Sequence, residues 1–292
     1  MKPGIRKRLI GYPLFFLTLH ITGCLFLANV YLKPARRIPS TPQLLNDATV
    51  PTPYGGDPAW VTPGLSVEHP TAKVVFVMSH GYGGTRAAWR GIIEKIHEAG
   101  YEGIAPAMPG QDASPEPMVG FGLREAKTIV RTVQWVRGRY SAGTQPKIIL
   151  LGVSMGGAAS WLASEQIPDQ VDAVITEGAY ARFDTAMDQW FDSAVPGGSF
   201  LMRPVVFFAR RIGGIDPSTI VPVNAAAKWK KPALVIQGDL DTLILNTNAV
   251  QLSTAAACPL WHVRGATHAN CYLADEKGYM SHILAVAKQI GG

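Results

Sequence analysis

The chain has 292 residues, enough for one large domain with an appendage or two small ones, and long enough to bury a substantial core. Its formal charge of +6 is unevenly placed: seven of the 27 basic residues, from Lys2 to Arg37, precede the first acid, Asp47, which leaves 20 against 21 acidic groups. The excess is an N-terminal device, and the body lacks the basic, aromatic-interleaved stripe of a nucleic-acid surface. Cys24, Cys258 and Cys271 form no disulfide framework and no zinc-type spacing.

Leu9 to Leu32 runs 24 residues without Asp, Glu, Lys or Arg, longer than the ~20 needed to cross a bilayer core. Three readings of this stretch stay open. They are a single-pass anchor over residues 1–32, a cleaved signal peptide, and a lipoprotein signal at Ile21-Thr22-Gly23-Cys24. The length favours the anchor, and the flanking charges favour a cytoplasmic N-terminus with the rest outside. Residues 33–70 hold eight of the 22 prolines and read as a semi-extended tether, with an edge strand near Trp60 as an option.

From Ala72 the texture changes. Val74–Met78 reads as a buried strand, followed by His80-Gly81-Tyr82-Gly83-Gly84 and a helix carrying Trp89, Ile92, Ile93 and Ile96. A less regular strand at Ile104–Met108 runs into the turn-rich Pro109–Ser114, and Ala126, Ile129, Val133 and Val136 mark a second helix. Ile148–Leu151 is the strongest strand, and it stops at Gly152-Val153-Ser154-Met155-Gly156 before a small-residue helix. Further strands are expected at Val171–Thr176, Ala233–Ile236 and Leu260–Val263, with a final helix over Lys277–Ile290. Strands alternating with helices give an α/β fold with a mostly parallel sheet covered on both faces. Residues 182–231 interrupt the alternation with an apolar stretch around Trp190, Phe200 and Phe207. It reads either as ordinary core with one standard helix or as a small cap over Ser154.

A strand that turns at once into a helix forces Ser154 into a tight bend, for which Gly152 and Gly156 leave room. The bend lifts the hydroxyl from the sheet edge and sets the Met155 amide at a helix N-terminus, able to stabilise an oxyanion. Ser154 is therefore the expected nucleophile. Two further motifs fall at strand ends, Gly238-Asp239-Leu240-Asp241 and Gly265-Ala266-Thr267-His268. The order Ser, acid, His, with His80–Gly84 after an earlier strand, resembles the α/β-hydrolase family over residues 71–292, and within it the esterase, lipase and prolyl-oligopeptidase-like serine hydrolases.

That resemblance implies a division of roles. His268 takes the Ser154 proton, and a carboxylate fixes its tautomer. The family's Gly-x-x-Asp pattern selects Asp241 over Asp239, with Glu177 and Asp184 as alternatives from the preceding strand end. Tyr82 N–H is implied as the second oxyanion donor beside Met155 N–H. No cofactor and no metal are expected. The expected activity is cleavage of a small-molecule carboxylic ester, thioester or amide through an acyl-enzyme. Peptidase, acyltransferase and a non-catalytic binding protein of the same fold are the alternatives, and oligomeric state is left open.

Overall fold

Apolar runs without polar alternation belong to strands buried on both faces, and the structure, a computed structural model, uses them so. It describes residues 3–291, with side chains from Phe15 onward. The basic side chains at positions 2–8 and the start of the apolar run at 9–14 lie outside that description. In chain order the elements are α1 (Pro3–Leu32), β1 (Asn46–Val50), β2 (Asp57–Val61), α2 (Pro63–Ser66), β3 (Val74–Ser79), α3 (Arg90–Glu98), β4 (Glu102–Pro106) and α4 (Leu123–Arg137). There follow β5 (Lys147–Val153), α5 (Met155–Gln166), β6 (Ala173–Glu177), α6 (Phe183–Ala194), α7 (Gly198–Gly213) and α8 (Pro222–Lys228). The chain closes with β7 (Ala233–Gly238), α9 (Asn246–Ala256), β8 (Leu260–Val263), α10 (Cys271–Ala274) and α11 (Glu276–Gly291).

The sheet order is β1-β2-β4-β3-β5-β6-β7-β8. The pairs from β4 through β8 are parallel, and β1 and β2 add an antiparallel edge. Alternate residues of each strand feed separate cores. Val75, Val77, Ile148 and Leu150 pack with Ile129, Trp161 and Leu252 of α4, α5 and α9. Phe76, Met78, Ile149 and Leu151 pack with Ile93 and Ile96 of α3 and with Tyr279 and Ile283 of α11. From β3 the chain crosses to β4 on one side, and from β5 to β6 on the other. The crevice between β3 and β5 is thus the switch point at which open α/β sheets bind ligands.

One expectation needs correction. Residues 33–70, read from their prolines as a tether, supply β1 and β2 instead. Pro58 is tolerated because it sits near the start of a strand at the sheet's antiparallel margin. The segment is also tied down. Arg36 donates to Ser114 O at 2.5 Å and Glu116 O at 2.8 Å, and Val119 N donates to Leu32 O at 2.9 Å. Within residues 182–231 the two readings divide the stretch. Ala225 and Ala226 of α8 lie in the main core, whereas α6 and α7 stand over the strand ends.

Helix α1 is, among the described residues, the one long and apolar enough to cross a membrane by length and composition. Its C-terminal half packs on α7, where Cys24 and Ala28 meet Val205.

Candidate active site

Ser154 sits between β5 and α5 with φ 54° and ψ −121°, a region that non-glycine residues rarely occupy and that costs of order 1–3 kcal/mol. Its surroundings enforce the strain. A Cβ on Gly156 would lie 2.1 Å from Ser79 O, and one on Gly152 would lie 2.3 Å from Gly156 O. Ser154 N donates to Glu177 O at 2.7 Å, which ties the bend to the neighbouring strand.

His268 follows β8 and brings Nε2 to 2.8 Å from Ser154 Oγ. Its Nδ1 lies 2.7 Å from Asp241 Oδ2, and Asp241 Oδ1 accepts the Leu243 and Ile244 amides, each at 2.9 Å. A carboxylate can only accept, so His268 carries its proton on Nδ1 and leaves Nε2 free to accept from the serine. The other acids are engaged elsewhere. Asp239 accepts from Gly265 N at 2.7 Å, Asp184 pairs with Arg182, and Glu177 accepts from Cys271 N at 2.9 Å. Burial pushes the Glu177 carboxyl above its ordinary range, and burial beside that carboxyl raises the Cys271 thiol. Glu177 thus holds the start of α10, three residues beyond His268, and does not meet its ring nitrogens.

Tyr82 and Met155 flank the serine, and among the described residues neither backbone amide has a protein acceptor. The turn that carries Tyr82 is pressed onto the serine, since a Cβ on Gly81 would lie 3.1 Å from Ser154 Cβ. His80 shapes this turn from below. Met108 N donates to its Nε2 at 3.3 Å and its Nδ1 faces Gly81 O at 2.9 Å, so the buried ring is neutral. Burial lowers its pKa accordingly. Gln111 accepts from Gly83 N, and Asp112 holds Arg86 through its backbone and guanidinium at 2.9–3.1 Å.

The sequence reading did not single out Gly178. It has φ +55°, and a Cβ there would lie 3.3 Å from Asp241 Oδ2 and from His268 Nδ1 and Cε1. A glycine directly after a buried strand was the signal available. Also unforeseen was the part played by α1. Tyr31 and Leu32 join Tyr82, Phe121, Trp190 and Val205 around a cavity of about 310 Å³ that reaches Ser154 and His268. Tyr82 Oη donates to Tyr31 O at 3.0 Å, and burial pushes that phenol up to about 12. Among the described residues, no three His, Cys, Asp or Glu side chains group as metal ligands would.

The sequence profile of the alpha/beta hydrolase fold matches residues 74–200. The esterase Pf2001 of Pyrococcus furiosus superposes with a TM-score of 0.72 at 17% identity, covering 89% of this chain and 100% of that one. The chain has the α/β-hydrolase fold. Another similar solved structure is the 2-hydroxy-6-oxo-6-phenylhexa-2,4-dienoate hydrolase of Rhodococcus sp. strain RHA1, with TM-score 0.59, 17% identity, and coverage of 84% of this chain and 99% of that one. At such identities the likeness speaks for the fold. Among curated sequences, Protein ABHD8 of Mus musculus and of Homo sapiens is 30% identical over 104 residues, which is 36% of this chain. The match spans 23% of those relatives' length.

Proposed function

We propose that this protein is a serine hydrolase that cleaves a carboxylic ester with an apolar acyl group through an acyl-enzyme. One observation carries the reading: Ser154 Oγ, His268 and Asp241 form an unbroken chain of 2.8 and 2.7 Å contacts at the end of an apolar cavity. A serine hydroxyl is a weak nucleophile until a base takes its proton. His268 Nε2 accepts that proton as Oγ bonds to the ester carbon. The carbonyl oxygen becomes an oxyanion, met by the Tyr82 and Met155 amides. Collapse expels the alkoxide, which takes the proton from His268 and leaves as the alcohol. Water then repeats the sequence on the acyl-serine, releasing the acid and restoring Ser154. Asp241 keeps the imidazole in the required tautomer and stabilises its cationic form.

In this reading α6 and α7 are the cap that shapes the acyl pocket, residues 71–292 are the hydrolase domain, and α1 is a membrane anchor with the domain on the extracytoplasmic side. The Pyrococcus relative is named an esterase, which agrees with the ester substrate. Purified full-length protein is expected to react with a fluorophosphonate probe and to hydrolyse p-nitrophenyl esters, with a preference that rises beyond acetate. Undiminished labelling of the Ser154→Ala variant would refute the nucleophile.

A further inference from the structure

Helix α7 has two faces with different neighbours. Val205, Val206 and Ala209 line the catalytic cavity, and Val205 also packs on Cys24 and Ala28 of α1. The opposite face is apolar and open to solvent, with Phe200, Leu201 and Phe207 at 67%, 62% and 51% exposure. It is also cationic. Arg203 lies over the Phe200 ring at 5.4 Å and Arg211 over Phe207 at 5.3 Å. The acids of the α6–α7 hairpin, Asp184, Asp188 and Asp192, are all on α6, so the hairpin is polarised.

The neighbouring helix says what covers that face. Phe15, Phe16, Leu19, Phe26 and Val30 of α1 are exposed as well. Leu32 meets Gly213, where a Cβ would lie 2.8 Å from Leu32 Cδ2, while Cys24 and Ala28 meet Val205. The two helices therefore run side by side in the same sense. An uncharged run of 24 residues is about 36 Å long against a hydrocarbon core of about 30 Å. If α1 crosses the bilayer, Ala28 falls within the core's outer part and Cys24 about 5 Å from its midplane, and α7 beside them meets lipid. Exposed aromatics suit that depth: the rings enter the acyl region, and Arg211, stacked on Phe207 two residues before the helix end at Gly213, reaches back to anionic headgroups.

We infer that the Phe200–Leu201–Phe207 face of α7 seats in the bilayer, and that α7 is the partition across which a bilayer-resident long-chain ester passes into the cavity. This rests on the esterase and anchor readings above and names their substrate class. The cavity fits it, because its walls are apolar and two of its residues, Tyr31 and Leu32, belong to the anchor helix itself.

Two measurements on the full chain in phosphatidylcholine–phosphatidylglycerol nanodiscs test the inference. In the first, nanodiscs contain a lipid with a photoreactive diazirine on its acyl chain, and adducts are mapped by peptide mass. Adducts within residues 200–207 are expected; adducts confined to residues 9–32, or a chain not retained by the nanodiscs, would overturn the seating. In the second, turnover of umbelliferyl oleate held in the nanodiscs is compared with that of soluble p-nitrophenyl butyrate, for the wild type and for Phe200→Ser/Leu201→Ser/Phe207→Ser. The triple variant is expected to lose at least about tenfold on the oleate ester while keeping the butyrate rate. Equal rates for variant and wild type on the oleate would overturn the route. A wild type that hydrolyses neither ester would refute the esterase reading and the route with it, while the adduct map still judges the seating.

Discussion

Replacing Asp241 by Asn exchanges one carboxylate oxygen for an NH2 group and tests the whole proton path. In the native site Oδ1 accepts two backbone amides, Leu243 N and Ile244 N, while Oδ2 accepts from His268 Nδ1. An asparagine must choose which end faces which partner. If its oxygen keeps the two amides, its NH2 faces His268 Nδ1, and the imidazole must shift its proton to Nε2. That tautomer points an N–H at Ser154 Oγ and cannot accept the hydroxyl proton. If the amide flips instead, its NH2 confronts two buried N–H donors, at about 1–3 kcal/mol for each one left unsatisfied. The first arrangement therefore wins by several kcal/mol. Loss of the acceptor tautomer costs about 10⁴ in kcat where the same geometry operates in serine proteases. We expect kcat on p-nitrophenyl butyrate to fall about 10³–10⁴-fold in Asp241→Asn, with a melting temperature close to wild type. Asp239→Asn and Glu177→Gln should stay within about tenfold, because neither carboxylate meets a His268 ring nitrogen. An Asp241→Asn enzyme within tenfold of wild type, or an inactive Glu177→Gln, would refute the assignment.

Three other outcomes follow from particular contacts. Gly178→Ala strains a left-handed backbone by about 1–2 kcal/mol and sets a Cβ 3.3 Å from both Asp241 and His268; kcat should drop about tenfold or more with a lowered Tm, and an unchanged kcat would contradict the close approach. His80 has a folded-state pKa below its ordinary 6.5, so the unfolded chain takes up the proton first. Its contribution is intact above pH 6.5 and declines as pH falls below that value, by at most about 1.4 kcal/mol per unit. Glu125, which burial pushes up to about 7, changes stability in the opposite sense. The informative quantity is therefore the difference in urea-unfolding free energy between wild type and His80→Asn, which should shrink from pH 7.5 to 5.5; a constant difference would refute it. Ala209→Phe narrows the cavity wall on α7, and at about 0.8 kcal/mol per buried methylene the octanoate-to-acetate ratio of kcat/KM on p-nitrophenyl esters should fall about tenfold or more, whereas a rising ratio would refute the pocket.

The sheet was legible because its strands are continuous apolar runs, and the order in which Ser154, Asp241 and His268 fall at strand ends depends only on chain direction. The structure places His268 within hydrogen-bond distance of both Ser154 and Asp241, with Tyr82 and Met155 lining the same cavity. Less could be read where contacts are remote in sequence. Eight prolines concealed β1 and β2, whose pairing is set by their partners across the sheet margin and not by their own composition. Gly178 gave no motif, since its need arises from side chains 63 and 90 positions further on. Residues 182–231 hid their division because α6, α7 and α8 are alike in apolar content, and only packing shows that α8 belongs to the core. Nor does an apolar helix near a terminus reveal that its last turn forms a wall of the cavity.

That last turn changes how the protein should be handled. With Arg36 gripping two carbonyls, Val119 N bonded to Leu32 O and Tyr82 Oη bonded to Tyr31 O, α1 is joined to the domain without slack. Cutting at residue 40 to obtain a soluble fragment would remove Tyr31 and Leu32 from the cavity, free the ring of Tyr82, and bare the flank of α7 around Val205. Such a fragment would be prone to self-association and to an altered chain-length preference. A preparation meant to report on the native enzyme should begin upstream of Cys24 and carry its own detergent or lipid.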